Sequence, residues 1–192
     1  MIVLITGPQG SGKSTQGKLL AEKYSVPFVS VGDVLRTLEA EGSEIGLKAA
    51  KWWKKGKLIP DAIIREVVEE YFANHDVSRG FVMDGFPRDI KQYKWVHEVF
   101  PNAIDAVIYL SLDIDEIWRR LEKRRGLENR ADENKEAIQE RLDEFLSRTV
   151  PVVEKFKEDE IPYIEIDGAQ SIEDIQDDIL ESLKSTREVT DR

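Results

Sequence analysis

Short apolar runs alternate along the chain with longer stretches in which apolar residues recur every three or four positions. The runs Ile2 to Thr6, Phe28 to Ser30, Gly80 to Asp84, Ala106 to Leu112 and Pro162 to Ile166 are apolar on both faces. That pattern predicts strands covered on both sides rather than half-solvated ones. Helical periodicity predicts helices notably over Lys13 to Tyr24 and over 62–74, 114–125, 133–157 and 172–183. Regular strand–helix alternation of this kind predicts an α/β fold, a parallel sheet with helices on both faces.

Two segments break the alternation. Residues 31–59 carry two helical patterns between the second and third strands, with Gly42-Ser43 as hinge and Gly56 closing the second; they read as a small helical insertion. Residues 125–132 ("RGLENRAD") form a short polar interruption between two long helices. The last nine residues, Lys184 to Arg192, are polar and are expected to fray.

Composition narrows the function. A chain of 192 residues suits one domain with a sizeable core. No cysteine is present, which rules out disulfides and thiolate metal sites. The apolar start is too short to span a bilayer and lacks a basic leader or cleavage site, so a cytoplasmic protein without a membrane partner is expected. The net charge of −10 argues against a nucleic-acid partner. A polyanionic ligand would require basic side chains to converge locally against that charge.

Such a ligand is indicated by "GPQGSGKST". Gly7 through Gly12, Lys13 and Ser14 form a Gly-x-x-x-x-Gly-Lys-Ser pattern after a strand and before a helix. Gly10, Ser11 and Gly12 let successive backbone N–H groups face an anion, and the helix N-terminus adds positive character. Lys13 reaches the outer phosphates, and the hydroxyl of Ser14 or Thr15 can ligate Mg²⁺. A nucleoside triphosphate is the expected ligand. The strand "GFVMD" ends in Asp84 at the sheet edge where open α/β folds bind ligands. There Asp84 can contact magnesium partly through water, or cap the next helix.

The stretch Asp84-Gly85-Phe86-Pro87-Arg88 resembles the signature of the nucleoside monophosphate kinases, above all the adenylate kinases. So does "VSVGDVLR" (29–36), which is similar to the family's Ser-Thr-Gly-Asp-x-x-Arg, and "GKLIPD" (56–61), with the motifs in order from Met1 to about Leu183. The resemblance implies a three-layer P-loop NTPase fold around a five-stranded parallel sheet. Its core would comprise 1–30, 60–124 and 133–192, with 31–59 the monophosphate-binding insertion and 125–132 a short lid. It implies phosphoryl transfer from ATP to AMP with Mg²⁺, giving two ADP, in a monomer; a lid this short without cysteine leaves no place for zinc.

Arginine is the side chain such chemistry needs, because its planar fork holds phosphate oxygens in pairs. By the resemblance Arg36 and Arg88 would hold the acceptor phosphate. Arg120 and Arg124 share a helix face, and Arg130 precedes Arg141 by eleven positions, as at the family's lid. Arg119 and Arg125 are solvated neighbours or exchange roles with them. Val31, Trp53, Lys57, Leu58, Ile59, Gly85 and Gln92 would complete the acceptor site, and Gln170, in the loop after the fifth strand, would serve the donor. Gln92 lies one turn beyond Arg88, and its amide can read an adenine edge. Of Trp52 and Trp53, one is expected to pack inward. His75 and His97, in polar helical contexts, are expected at the surface. A UMP/CMP kinase is the alternative reading.

Overall fold

The computed structural model describes residues 1–55, 57, 59–128 and 135–190; of these, 124–128, 137 and 187–190 are described by backbone alone. Five strands, β1 (Ile2–Thr6), β2 (Phe28–Ser30), β3 (Phe81–Asp84), β4 (Ala106–Ser111) and β5 (Tyr163–Asp167), form one sheet in the order β2-β3-β1-β4-β5. Every pairing is parallel. Each strand lies within one residue of the run that predicts it.

The helices are α1 (Lys13–Tyr24), α2 (Val31–Ala40), α3 (Glu44–Trp53), α4 (Asp61–Asn74), α5 (Ile90–Val99), α6 (Ile114–Glu128), α7 (Lys135–Glu144), α8 (Val150–Glu158) and α9 (Ile172–Thr190). Strand β1 feeds both cores. Val3 and Ile5 pack with Leu20, Ile175 and Ile179 under α1 and α9, while Leu4 packs with Leu35, Val68, Trp95 and Phe156 on the opposite face. All three β1 side chains are almost wholly buried. Burial of each contributes roughly 1.5–3 kcal/mol, so the strand is apolar throughout instead of alternating. Helices α6 and α7 pair through Ile117, Leu121, Ile138 and Leu142.

Between β2 and α4 the chain forms a helical pair. Ser30 caps α2, its Oγ accepting from the Asp33 N–H (3.3 Å), and Ser43 caps α3, its Oγ accepting from the Gly46 N–H (3.2 Å). Gly42 turns between them at φ 74°. Gly46 sits where the two helices touch, and a Cβ there would lie 2.4 Å from the Leu38 carbonyl carbon and the Glu39 nitrogen. Gly56 lies outside the described residues.

Three elements differ from the sequence pattern. Where periodicity predicts one helix over 133–157, the chain forms α7, a π-helical turn over Phe145–Thr149, and α8. Pro151 has no N–H to give the carbonyl four residues back and crowds it, and the ladder widens so that the Val150 N–H reaches Phe145 O. Helix α6 continues to Glu128, so the first part of the polar segment 125–132 is helical, and 129–134 lie outside the described residues. The C-terminal residues expected to fray continue α9 as far as Thr190, with Ser185 and Thr186 hydroxyls donating to carbonyls of the preceding turn. Among the described residues no helix is long and apolar enough to cross a membrane.

Gly46→Ala should lower stability by about 1–3 kcal/mol, because the methyl group meets backbone that cannot rotate away. Urea unfolding measures this; a midpoint equal to the parent's would mean that the α2–α3 contact yields without strain.

Candidate active site

Strand β1 lies between β3 and β4, so the chain leaves the C-terminal edge of the sheet in opposite directions on its two sides. A crevice opens at that switch of direction. The loop from Gly7 to Gly12 fills it. Gly12, at φ 93°, precedes α1 with no side chain in the capping place, the arrangement in which an anion takes that position. Lys13 Nζ folds back to donate to Pro8 O (2.6 Å). The β1–β3 register sets Ile5 beside Asp84, and Ser14 Oγ donates to Asp84 Oδ2 (2.5 Å). Behind the loop, Gly168 in the β5–α9 turn approaches so closely that a Cβ would lie 3.0 Å from Ser11 O.

A cavity of about 420 Å³ runs from this loop to the helical pair. Lys13, Arg36, Lys57, Arg88, Arg120 and Arg141 line it against two carboxylates, Asp84 and Glu144. The cleft is therefore locally cationic in a chain of net charge −10. Each arginine is held by a protein oxygen. Arg36 pairs with Asp33 one turn earlier on α2. Arg88 Nε donates to Gly85 O (2.9 Å), and Arg141 Nη2 to Trp53 O (3.4 Å), tying α7 to α3. Arg120 bridges Glu116 Oε1 (2.6 Å) and Gly10 O (3.3 Å). Hydrogen bonds from Arg119 and then Arg120 hold the Glu116 carboxyl down to about 2. The Arg88 side chain is open to the cleft but ringed by protein. Desolvation lowers its pKa, Asp84 opposes the shift, and repulsion from Arg141 and Arg36 adds to it.

At the far end the cavity turns apolar, with Val31, Leu35 and Ile64 buried and Trp53 and Ile59 beside them. Gln92 enters this region from the first turn of α5, which Asp89 caps by accepting from the Lys91 and Gln92 N–H groups (2.9 Å each). Its Oε1 accepts from the Arg88 N–H (2.8 Å) and its Nε2 donates to Asp61 Oδ1 (3.0 Å). Thr149, in the π-helical turn, donates its hydroxyl to Arg88 O (3.0 Å).

A phosphate loop facing an arginine- and glutamine-lined pocket matches a known family. Residues 5–161 match the family model described as adenylate kinase. A protein named adenylate kinase from Thermobifida fusca (strain YX) is 37% identical over 188 residues, covering 96% of this chain and 99% of its own length. One of the same name from Leptospira biflexa is 34% identical over 184 residues (94% and 98%), and one from Archaeoglobus fulgidus 32% over 218 (96% and 100%). The chain belongs to the adenylate kinase family.

In this adenylate kinase family member the cleft brings together Gly10, Gly12, Lys13, Ser14, Thr15, Val31, Arg36, Trp53, Lys57, Ile59, Asp84, Gly85, Arg88, Gln92, Arg120 and Arg141. Ser11 is buried beneath the loop and Gln170 is exposed outside the cleft, its Nε2 donating to Asp178 (3.0 Å). Leu58 and Arg130 lie outside the described residues, as does the side chain of Arg124. Trp53 faces the cleft and Trp52 faces solvent. His75 is exposed and stacks on Tyr71. His97 departs from expectation: it is half-buried between Tyr93 and Phe156, with Nε2 3.2 Å from Asp159, because α8 covers that face of α5. Ile64, Glu144 and Thr149 line the cleft without a motif to mark them, and Leu35 lines it from an unspecified position of the 29–36 stretch. For Leu35 and Ile64 the apolar helical period was the available signal, and for Thr149 the nearby Pro151.

Because the Glu116 carboxyl is depressed in the fold, its pairing contributes stability above its unfolded value of 4.5, and that contribution is lost as pH falls toward 2. Carboxyl NMR should therefore find Glu116 ionised through pH 4, and Arg119→Ala should move its midpoint upward. An unmoved midpoint would contradict the pairing.

Proposed function

We propose that the protein transfers the terminal phosphoryl group of ATP to AMP, reversibly, giving two ADP. The observation that carries this reading is one continuous cleft with a phosphate loop at one end and Arg88, Gln92 and an apolar base pocket at the other. The reaction breaks the bond between the terminal phosphorus and its bridging oxygen and forms one to a phosphate oxygen of AMP. That oxygen is largely ionised near pH 7, so no general base is required. Catalysis then rests on positioning and on neutralising crowded negative charge.

The donor triphosphate lies on the N–H groups of Gly10, Ser11 and Gly12, with Lys13 on its outer phosphates and its base toward the turn that carries Gly168 and Gln170. Arg36 and Arg88 hold the AMP phosphate. Its base lies among Val31, Trp53, Lys57 and Ile59, against Gln92, with Leu58 assigned there from the sequence alone. Arg120 and Arg141, which line the cleft, serve the transferred group, and Arg124 and Arg130 are assigned the same role from the sequence alone. Ser14 and Asp84 offer hard oxygen donors that fit Mg²⁺, with Thr15 adjacent, and the Ser14–Asp84 contact favours Ser14 over Thr15 as the hydroxyl ligand. Bound there, Mg²⁺ supplies charge neutralisation on the phosphates. The division into a core (1–30, 60–124, 133–192), an acceptor-binding insertion (31–59) and a short lid (125–132) belongs to the same reading. Closure of the last two excludes water and directs the phosphoryl group to AMP instead of hydrolysis. A monomer in the cytoplasm belongs to the same reading, and the acidic, cysteine-free composition suits that compartment.

A coupled assay on AMP, CMP, UMP and GMP tests the acceptor; turnover confined to a pyrimidine would overturn it. Arg88→Ala should lower kcat by about 10²–10³ with the fold intact, the scale of removing one charge-stabilising donor. Ser14→Ala should raise the Mg²⁺ concentration for half-maximal turnover several-fold, and Thr15→Val should do so less; the reverse order would assign the metal to Thr15.

A further inference from the structure

We propose that Asp61 is a positioning residue that fixes which way round the Gln92 amide faces the acceptor base, and so selects a 6-aminopurine over a 6-oxopurine. This rests on the reading that the acceptor base meets Gln92. The inference comes from the two partners of that amide. The Arg88 N–H donates to Oε1 at 2.8 Å, and Asp61 Oδ1 accepts from Nε2 at 3.0 Å. A backbone N–H can only donate and a carboxylate can only accept. Both anchors therefore demand the same orientation, and a reversed amide would set oxygen against carboxylate and NH₂ against N–H. Gln92 is only 3% exposed, so water cannot make good that mismatch. Its backbone is pinned as well, because Asp89 caps the first turn of α5.

An amide carries two N–H donors and two acceptor lone pairs. One of each is taken, which leaves one donor and one acceptor, in fixed order, on a side chain that lines the cleft. A 6-aminopurine presents an amino donor beside a ring-nitrogen acceptor. A 6-oxopurine presents the reverse, an oxygen acceptor beside an N1–H donor. An amide fixed one way round satisfies one order and opposes the other. Asp61 reaches Gln92 from the first residue of α4, thirty-one positions away, so the selection depends on how α4 packs against α5.

The test compares AMP and IMP as acceptors, by kcat/KM and by calorimetric binding of each monophosphate alone, in the parent and in Asp61→Asn. Asn can donate or accept, so it drops the demand made at position 61 at nearly unchanged shape and leaves the Arg88 N–H as the one remaining anchor on the amide. The AMP-to-IMP ratio should fall about tenfold, the worth of one hydrogen bond. The change should fall in KM and in the dissociation constants, with IMP binding gained as AMP binding weakens. Asp61→Ser, also able to donate or accept, should shift the ratio in the same direction and serves if Asp61→Asn fails to fold. A ratio unmoved in a folded variant, or a parallel loss of both nucleotides, overturns the proposal while leaving the acceptor reading intact. A parent that neither binds nor phosphorylates AMP overturns both.

Discussion

The parallel pairing of β1 with β3, with Ile5 opposite Asp84, is the contact on which the cleft depends. It places a carboxylate from residue 84 beside a hydroxyl from residue 14, at a crevice that opens because the chain turns one way after β1, toward β2, and the other way after β3, toward β4. The strands carry no chemistry themselves. Burial on both faces makes β1 and β3 rigid, whereas β5 at the sheet edge exposes Glu165 and Asp167, and the rigid central strands support a loop of unusual backbone geometry.

Electrostatics sets the second constraint. Six basic groups share one cleft, and repulsion from Arg141 and Arg36 adds to the desolvation that lowers the Arg88 pKa. The fold restrains them by giving the arginines carbonyl or carboxylate partners, from the preceding turn for Arg36 and Arg88 and from distant elements for Arg120 and Arg141, so that each is already aimed. Preorganised cations of this kind need little reorganisation when negative charge develops between two nucleotides. With a net charge of −10 over the whole chain, this cationic cleft is the natural place for an anion to settle.

Much of this was legible in the chain. Strands apolar on both faces announce a parallel sheet, and the phosphate loop and Asp-Gly-Phe-Pro-Arg stretch announce where its edge binds phosphate. The rest was illegible because it depends on distant packing. Nothing local to Gln92 shows that its amide is already committed to Arg88 and Asp61. The half-burial of His97 depends on α8, more than fifty residues later. The π-helical turn that aims Thr149 at Arg88 was foreshadowed only by Pro151, since a proline tells where a helix must adjust but not how.

The central place of β1 also has a consequence for how the protein is made. It is the first strand to be synthesised, yet its neighbours are β3 and β4, and its N-terminal amine is held by Arg79 O. A run whose central residues end almost wholly buried must therefore wait, unpaired, for about 80 further residues, or roughly 4–16 s at 5–20 residues per second. During that interval the nascent chain carries an exposed, sticky β segment. The position that makes the strand the axis of the finished enzyme makes it the point at which a half-made chain is most exposed to aggregation or to capture by a chaperone.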